Sequence, residues 1–257
     1  MMASRSIRGR DHCSENRAPV TGNKPGKFRF AVITQGNRPE VTMALFLDCA
    51  EPESIRAAMA LGIYAGVTTN PKLLENIPPA DLLEHLGEIA RCCRRTLYFQ
   101  AHGQSADEME RHALLLFEVA PGRTVIKLPM GREGMTACQA LRARGVPVCL
   151  TALFSPLQVA AAALAGAHSA ALYVGRVSAR GEDGIAAARR SRAILSALGS
   201  STRLLCASVK DAPTLQALLE IADADVTIPP ALQEDLLSHP GTAEAIEAFR
   251  ISIPRRG

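Results

Sequence analysis

The stretch Thr124-Val-Ile-Lys-Leu-Pro-Met-Gly-Arg-Glu-Gly-Met-Thr-Ala-Cys-Gln-Ala-Leu-Arg-Ala-Arg-Gly-Val-Pro-Val-Cys-Leu-Thr151 falls into three parts. Thr124–Leu128 is a short apolar run broken only by Lys127, Glu133–Arg144 is amphipathic at helical spacing, and Pro147–Thr151 is apolar again. Two strands that are apolar on both faces and joined by a helix form the repeating unit of a parallel sheet. The pattern continues in both directions. Strand-like runs lie at Ala44–Asp48, Tyr64–Thr68, Leu97–Ala101, Ser169–Val174, Arg203–Ala207 and Asp225–Ile228. Helix-like segments lie between them, and Pro230–Leu237 and Thr242–Arg250 follow the last. Eight such units in about 215 residues predict an α/β chain folded as a single (β/α)8 TIM barrel with a C-terminal helix, rather than an open doubly wound sheet.

The 257 residues are 47% hydrophobic and 21% charged, which excludes a largely disordered chain, and no apolar run has the length of a membrane span. The formal charge of +4 is unevenly placed: residues 1–42 hold eight of the 29 basic residues and three of the 25 acids. The remainder is close to neutral, so no basic face for nucleic acid is implied. Residues 1–42 show neither sustained period nor signal-peptide pattern, and are expected to be a poorly ordered extension without function. Met43, directly before the first strand, is the expected true start, and 43–257 the barrel domain. Seven scattered cysteines, mostly within apolar runs, suit a reducing cytosol. With no CxxC, no HExxH and six histidines that share no ligand spacing, neither metal nor cofactor is expected. No GxGxxG or GxxxxGK[ST] follows the first strand.

In such barrels the chemistry gathers where strands end. The strand ends carry Asp48, Thr68 with Asn70, Gln100, Lys127, Thr151, Tyr173 with Arg176, and Ser208 with Lys210. Lys127 is the sharpest of them. A lysine inside a barrel is costly as an ammonium, and the neutral amine attacks carbonyls to form a Schiff base. The plainer alternatives are a lysine snorkelling from a strand edge or paired with Asp48. Asp48 has its own, an N-cap of the following helix. Gln100 and Thr151 suit a water that relays protons, and Tyr173 is a candidate general acid/base. Arg176, Ser208 and Lys210 follow strands six and seven, where barrels commonly hold a substrate phosphate, and together read as an anion clamp. The Arg180–Gly184 loop reads as the turn into the next helix.

These residues, taken with Gly66-Val-Thr-Thr-Asn-Pro71, Val125-Ile-Lys-Leu-Pro129, Gly145-Val-Pro-Val-Cys-Leu-Thr-Ala152, Tyr173-Val-Gly-Arg176, Ala207-Ser-Val-Lys210 and Val226-Thr-Ile-Pro229, resemble the transaldolase family. Within it they resemble the small fructose-6-phosphate aldolase branch, over about Ala44 to Arg250. The resemblance implies a class I aldolase with its Schiff base on Lys127. It further implies Asp48 assisting proton transfer, Thr68 and Asn70 on the donor hydroxyls, and Gln100, Thr151 and Tyr173 around a catalytic water. Arg176 and Ser208 would hold the phosphate. Transaldolases proper usually carry Glu and Phe where Gln100 and Tyr173 stand, so this pair favours free aldol cleavage and synthesis over transfer of a dihydroxyacetone unit. A non-catalytic sugar-phosphate-binding barrel is the remaining alternative. The chain departs from the usual pattern at Lys72, at Met130-Gly131 and at Gly175, where Asn is common. The terminal helix matches one that packs on a neighbouring subunit in this family, implying a cytoplasmic homo-oligomer, pentamer or decamer, that acts on a small sugar phosphate.

Overall fold

A computed structural model describes residues 43–252; the extension expected at 1–42 lies outside them. The strands are β1 Leu45–Asp48, β2 Gly66–Thr68, β3 Thr96–Gln100, β4 Thr124–Pro129, β5 Val148–Leu153, β6 Ser169–Tyr173, β7 Arg203–Ala207 and β8 Ala224–Ile228. The helices are α1 Pro52–Ala60, α2 Leu82–Cys92, α3 Ala106–Phe117, α4 Arg132–Ala143, α5 Pro156–Leu164, α6 Val174–Ser178, α7 Gly184–Ala197, α8 Ala212–Leu219, α9 Gln233–Leu237 and α10 Pro240–Ser252, with a 3-10 turn at Pro230–Leu232. The strands form one closed barrel in chain order, with β1 parallel to both β2 and β8. The predicted (β/α)8 TIM barrel is the observed fold.

Successive side chains on a strand point to opposite faces, and this alternation divides the core in two. Leu47, Val67, Leu97, Ile126, Leu150, Leu172, Leu204 and Val226 belong to the large cluster that also contains helix residues such as Ile55, Leu86, Leu116 and Leu141. Their neighbours Phe46, Tyr98, Val125, Cys149, Ala171 and Leu205 form a separate cluster, the plug of the barrel interior. Phe46 and Tyr98 meet edge to face there, with ring centroids 5.3 Å apart. Gly66 leaves room for this plug, because a Cβ on it would lie 3.1 Å from the Phe46 ring and would overlap the Thr96 carbonyl oxygen. Below the plug, Arg203 and Asp225 pair across β7 and β8, and Asp225 also accepts the Ala44 backbone N–H.

Side chains just before the helices fix where they begin. Ser105, Ser155, Asp183 and Asp211 accept backbone N–H groups of the first turns of α3, α5, α7 and α8, and proline opens α1, α5 and α8. Asp183 confirms the Arg180–Gly184 loop as the turn into a helix. At α1 the cap is Glu51, which accepts from Glu53 and Ser54. Asp48 is therefore not the N-cap, and its carboxylate is used elsewhere. A further difference lies at β6, which the apolar pattern extends through Val174 but which ends at Tyr173. There the chain turns directly into the short helix α6.

Candidate active site

Two residues beyond each plug residue, a strand's inward face reaches the C-terminal mouth. On β1, β3, β4, β5 and β6 that rule delivers Asp48 above Phe46, Gln100 above Tyr98, Lys127 above Val125, Thr151 above Cys149 and Tyr173 above Ala171. The polar ring is thus the next layer of the barrel interior. Thr68 and Thr151 are wholly buried, and Lys127 is 5% exposed.

Lys127 and Gln100 are register partners on β4 and β3. Lys127 Nζ donates to the Thr69 carbonyl oxygen at 2.7 Å, and among the described residues no carboxylate lies within ion-pair distance of it. Neither plain alternative for this lysine describes it: it is buried and not paired with Asp48. Its Cα partner on β5 is Cys149, whose thiol burial pushes up to about 11.

Asp48 is held by its neighbours on the β2 side. Thr68 Oγ1 donates to Asp48 Oδ1 at 2.7 Å, and Asn70 Nδ2 lies 3.3 and 3.2 Å from its two oxygens. Thr68 Oγ1 also lies 2.7 Å from Thr227 Oγ1 of β8. The sequence pattern led to no site residue on the eighth strand. The signal that could have found it is the same alternation, since Thr227 stands two residues beyond the inward-facing Asp225.

A second group forms across the barrel. Thr151 Oγ1 lies 3.3 Å from the Tyr173 hydroxyl, and the Arg176 guanidinium sits over the Tyr173 ring, 4.6 Å from its centroid. Phe154 packs on the same ring edge to face at 5.8 Å, a contact that nothing in the sequence announces. The Gln100 Oε1 atom is buried and has no hydrogen-bond partner among the described residues. An unsatisfied buried acceptor beside a buried lysine is costly, and a donor supplied by a bound molecule would relieve it.

Backbone strain marks two of these strand ends. Ala152, directly after Thr151, has φ 59°, where the β5–β6 register shifts between Leu150 and Leu153. Ser208, directly after β7, has φ 62°. Gly175 is what lets α6 approach that turn, since a Cβ there would overlap the Ser208 carbonyl oxygen. This brings the Arg176 helix against the Ser208 turn. Lys210 lies exposed further along the loop and makes no hydrogen bond or ion pair among the described residues.

The ring therefore offers a buried amine, a carboxylate fixed by hydrogen bonds, a phenol linked to a hydroxyl, and a guanidinium beside a strained turn. Residues 45–254 match the family model described as transaldolase/fructose-6-phosphate aldolase. The chain is 34% identical to a protein named "Probable transaldolase" from Caulobacter vibrioides, over 80% of this chain and 94% of that one. Proteins of the same name from Symbiobacterium thermophilum and Maridesulfovibrio salexigens are 35% and 36% identical, each over 80% of this chain and 95% and 96% of theirs. A barrel, a mouth and a match of this extent agree: the chain belongs to the transaldolase/fructose-6-phosphate aldolase family and is an enzyme of aldolase or transaldolase type.

Proposed function

We propose that the protein is a Schiff-base aldolase that cleaves or forms fructose 6-phosphate-type aldols from dihydroxyacetone and glyceraldehyde 3-phosphate. The observation that carries this reading is Lys127, buried in the barrel mouth with Gln100 as its register partner. Its amine attacks the ketose carbonyl, loses water and forms an imine, which withdraws electrons as the adjacent carbon–carbon bond breaks. The hydroxyl on the departing aldehyde gives up its proton through a water held by Gln100, Thr151 and Tyr173, with Tyr173 as acid/base. The remaining enamine is protonated and hydrolysed, releasing dihydroxyacetone. Asp48 assists the proton transfers at the amine, and Thr68 and Asn70 line the donor hydroxyls. Arg176, Ser208 and Lys210 take the phosphate. The exposed apolar side chains of α10 support a homo-oligomer.

The names of the curated relatives favour a second reading, a transaldolase that keeps the three-carbon unit and passes it to another aldehyde. One experiment tests both. Borohydride reduction with fructose 6-phosphate, followed by intact mass and peptide mapping, should place a three-carbon adduct on Lys127, and Lys127→Ala should take none. No adduct with any ketose phosphate or with dihydroxyacetone would overturn the imine and leave the binding-only barrel. Release of free dihydroxyacetone by the wild-type enzyme supports the aldolase; turnover only in the presence of an acceptor aldehyde supports the transaldolase.

A further inference from the structure

Asp48 is oriented by a chain of hydroxyls that begins on the last strand. Thr68 has a single hydroxyl proton, and the 2.7 Å hydrogen bond that Thr68 Oγ1 donates to Asp48 Oδ1 uses it. The second 2.7 Å contact of Thr68 Oγ1, to Thr227 Oγ1, must then run the other way, with Thr227 as donor. The order is Thr227 to Thr68 to Asp48, and every proton in it points toward the carboxylate. Thr68 and Thr227 are buried, with Thr68 0% and Thr227 4% exposed, so both hydroxyls are shielded from bulk solvent. The two threonines stand on the strands that flank β1, and the Thr68 Cα pairs with Asp48 while the Thr227 Cα pairs with Phe46 one layer below. Closure of the barrel between β8 and β1 is what makes the chain possible.

We propose that Thr227 is a positioning residue for the reaction: by donating to one of the two lone pairs of Thr68 Oγ1, it holds the Thr68 proton on Asp48 and sets the carboxylate's direction and its affinity for a proton. It touches no substrate itself and acts through Thr68. Its role in turnover rests on the assignment of Asp48 to proton transfer, whereas its hold on the carboxylate does not. Hydrogen-bonded chains of this kind strengthen each member, and removing the first donor frees the second hydroxyl to rotate.

The test is Thr227→Val, which keeps the branched shape and removes the hydroxyl, beside Thr227→Ser, which keeps the hydroxyl, with Thr227→Ala held in reserve should the valine variant not fold. For cleavage of fructose 6-phosphate, Thr227→Val should lower kcat about tenfold with KM within about twofold, the loss of one hydroxyl–hydroxyl hydrogen bond. Thr227→Ser should restore kcat. In parallel, the Asp48 carboxyl carbon is titrated by 13C NMR, with Cys49 beside it and Lys127 on the Thr69 carbonyl unchanged in every variant. Its midpoint should move upward in Thr227→Val and return in Thr227→Ser. A folded valine or alanine variant whose kcat and Asp48 midpoint both match the wild type overturns the proposal. A moved midpoint with unchanged kcat overturns the catalytic half alone. Should the wild type neither turn over nor trap an imine, the functional reading fails, and the NMR midpoint still decides whether Thr227 governs Asp48.

Discussion

At the scale of single residues, the Arg176 guanidinium over the Tyr173 ring joins the proposed anion site to the proposed acid/base. Arg176→Ala should raise KM for fructose 6-phosphate about 10- to 100-fold, since hydrogen bonds to a charged group contribute about 1.5–3 kcal/mol. KM for an unphosphorylated ketose should hardly move, and steady-state kinetics on the two substrates read the difference. Arg176→Lys should recover little, because a lysine keeps the charge but loses the planar fork and the stacking. Gly175 makes a sharper case. In this chain a Cβ there would overlap the Ser208 carbonyl oxygen. Gly175→Asn should cost about 1–3 kcal/mol of stability, the usual penalty of overpacking, and weaken phosphate binding as the Ser208 turn is displaced. A melting temperature and a phosphate-binding isotherm equal to wild type would refute that account.

At the scale of elements, much of the site is legible in the amino-acid sequence, for a specific reason. Asp48, Gln100, Lys127, Thr151 and Tyr173 are all the last inward positions of buried strands, and such strands are legible because they are apolar runs. Three features are not. Helix α6, with five residues, is too short to show a period, so the turn that carries Arg176 leaves no mark in the pattern. Thr227 reads as an ordinary β-branched strand residue, and only the neighbour across a closed barrel gives it a role. The lysine's partner is a backbone carbonyl, which no side-chain pattern reports. The helix caps carry a separate expectation about acid. Hydrogen bonds from Ser54 and Glu53 hold the Glu51 carboxyl below its ordinary 4.5, and those from Thr214 hold Asp211 below its ordinary 3.8. A carboxylate with a depressed folded value stabilises the fold above the unfolded value, and that stabilisation is lost as pH falls through the folded one. Both side chains are solvent-exposed, so each effect is small. Asp211→Ala should cost about 1 kcal/mol at neutral pH, as loss of a cap does, and the difference from wild type should shrink below about pH 4. Urea denaturation at pH 7 and at pH 3 measures it.

At the scale of the whole molecule, the barrel wall closes on itself, but among the described residues α10 has no buried side chain. It leaves Ile246, Phe249 and Ile251 exposed at 48, 65 and 79%. A helix of 13 residues is marginal in water without tertiary packing, so this one needs a surface to persist. A second copy of the chain is the proposed surface. The prediction is a particle in solution well above the 27.4 kDa of one chain, measured by light scattering coupled to size exclusion. Replacing Ile246 and Phe249 together by Glu should return it to one chain, because burying a carboxylate in an apolar contact without a partner costs far more than the contact yields. The barrel and its proposed site lie outside α10, so the far-UV circular dichroism of the strands and the imine trapping on Lys127 should survive the change. A wild-type particle of single-chain mass would show that α10 covers no second copy. A double variant that stays assembled would place the contact on another face of the barrel.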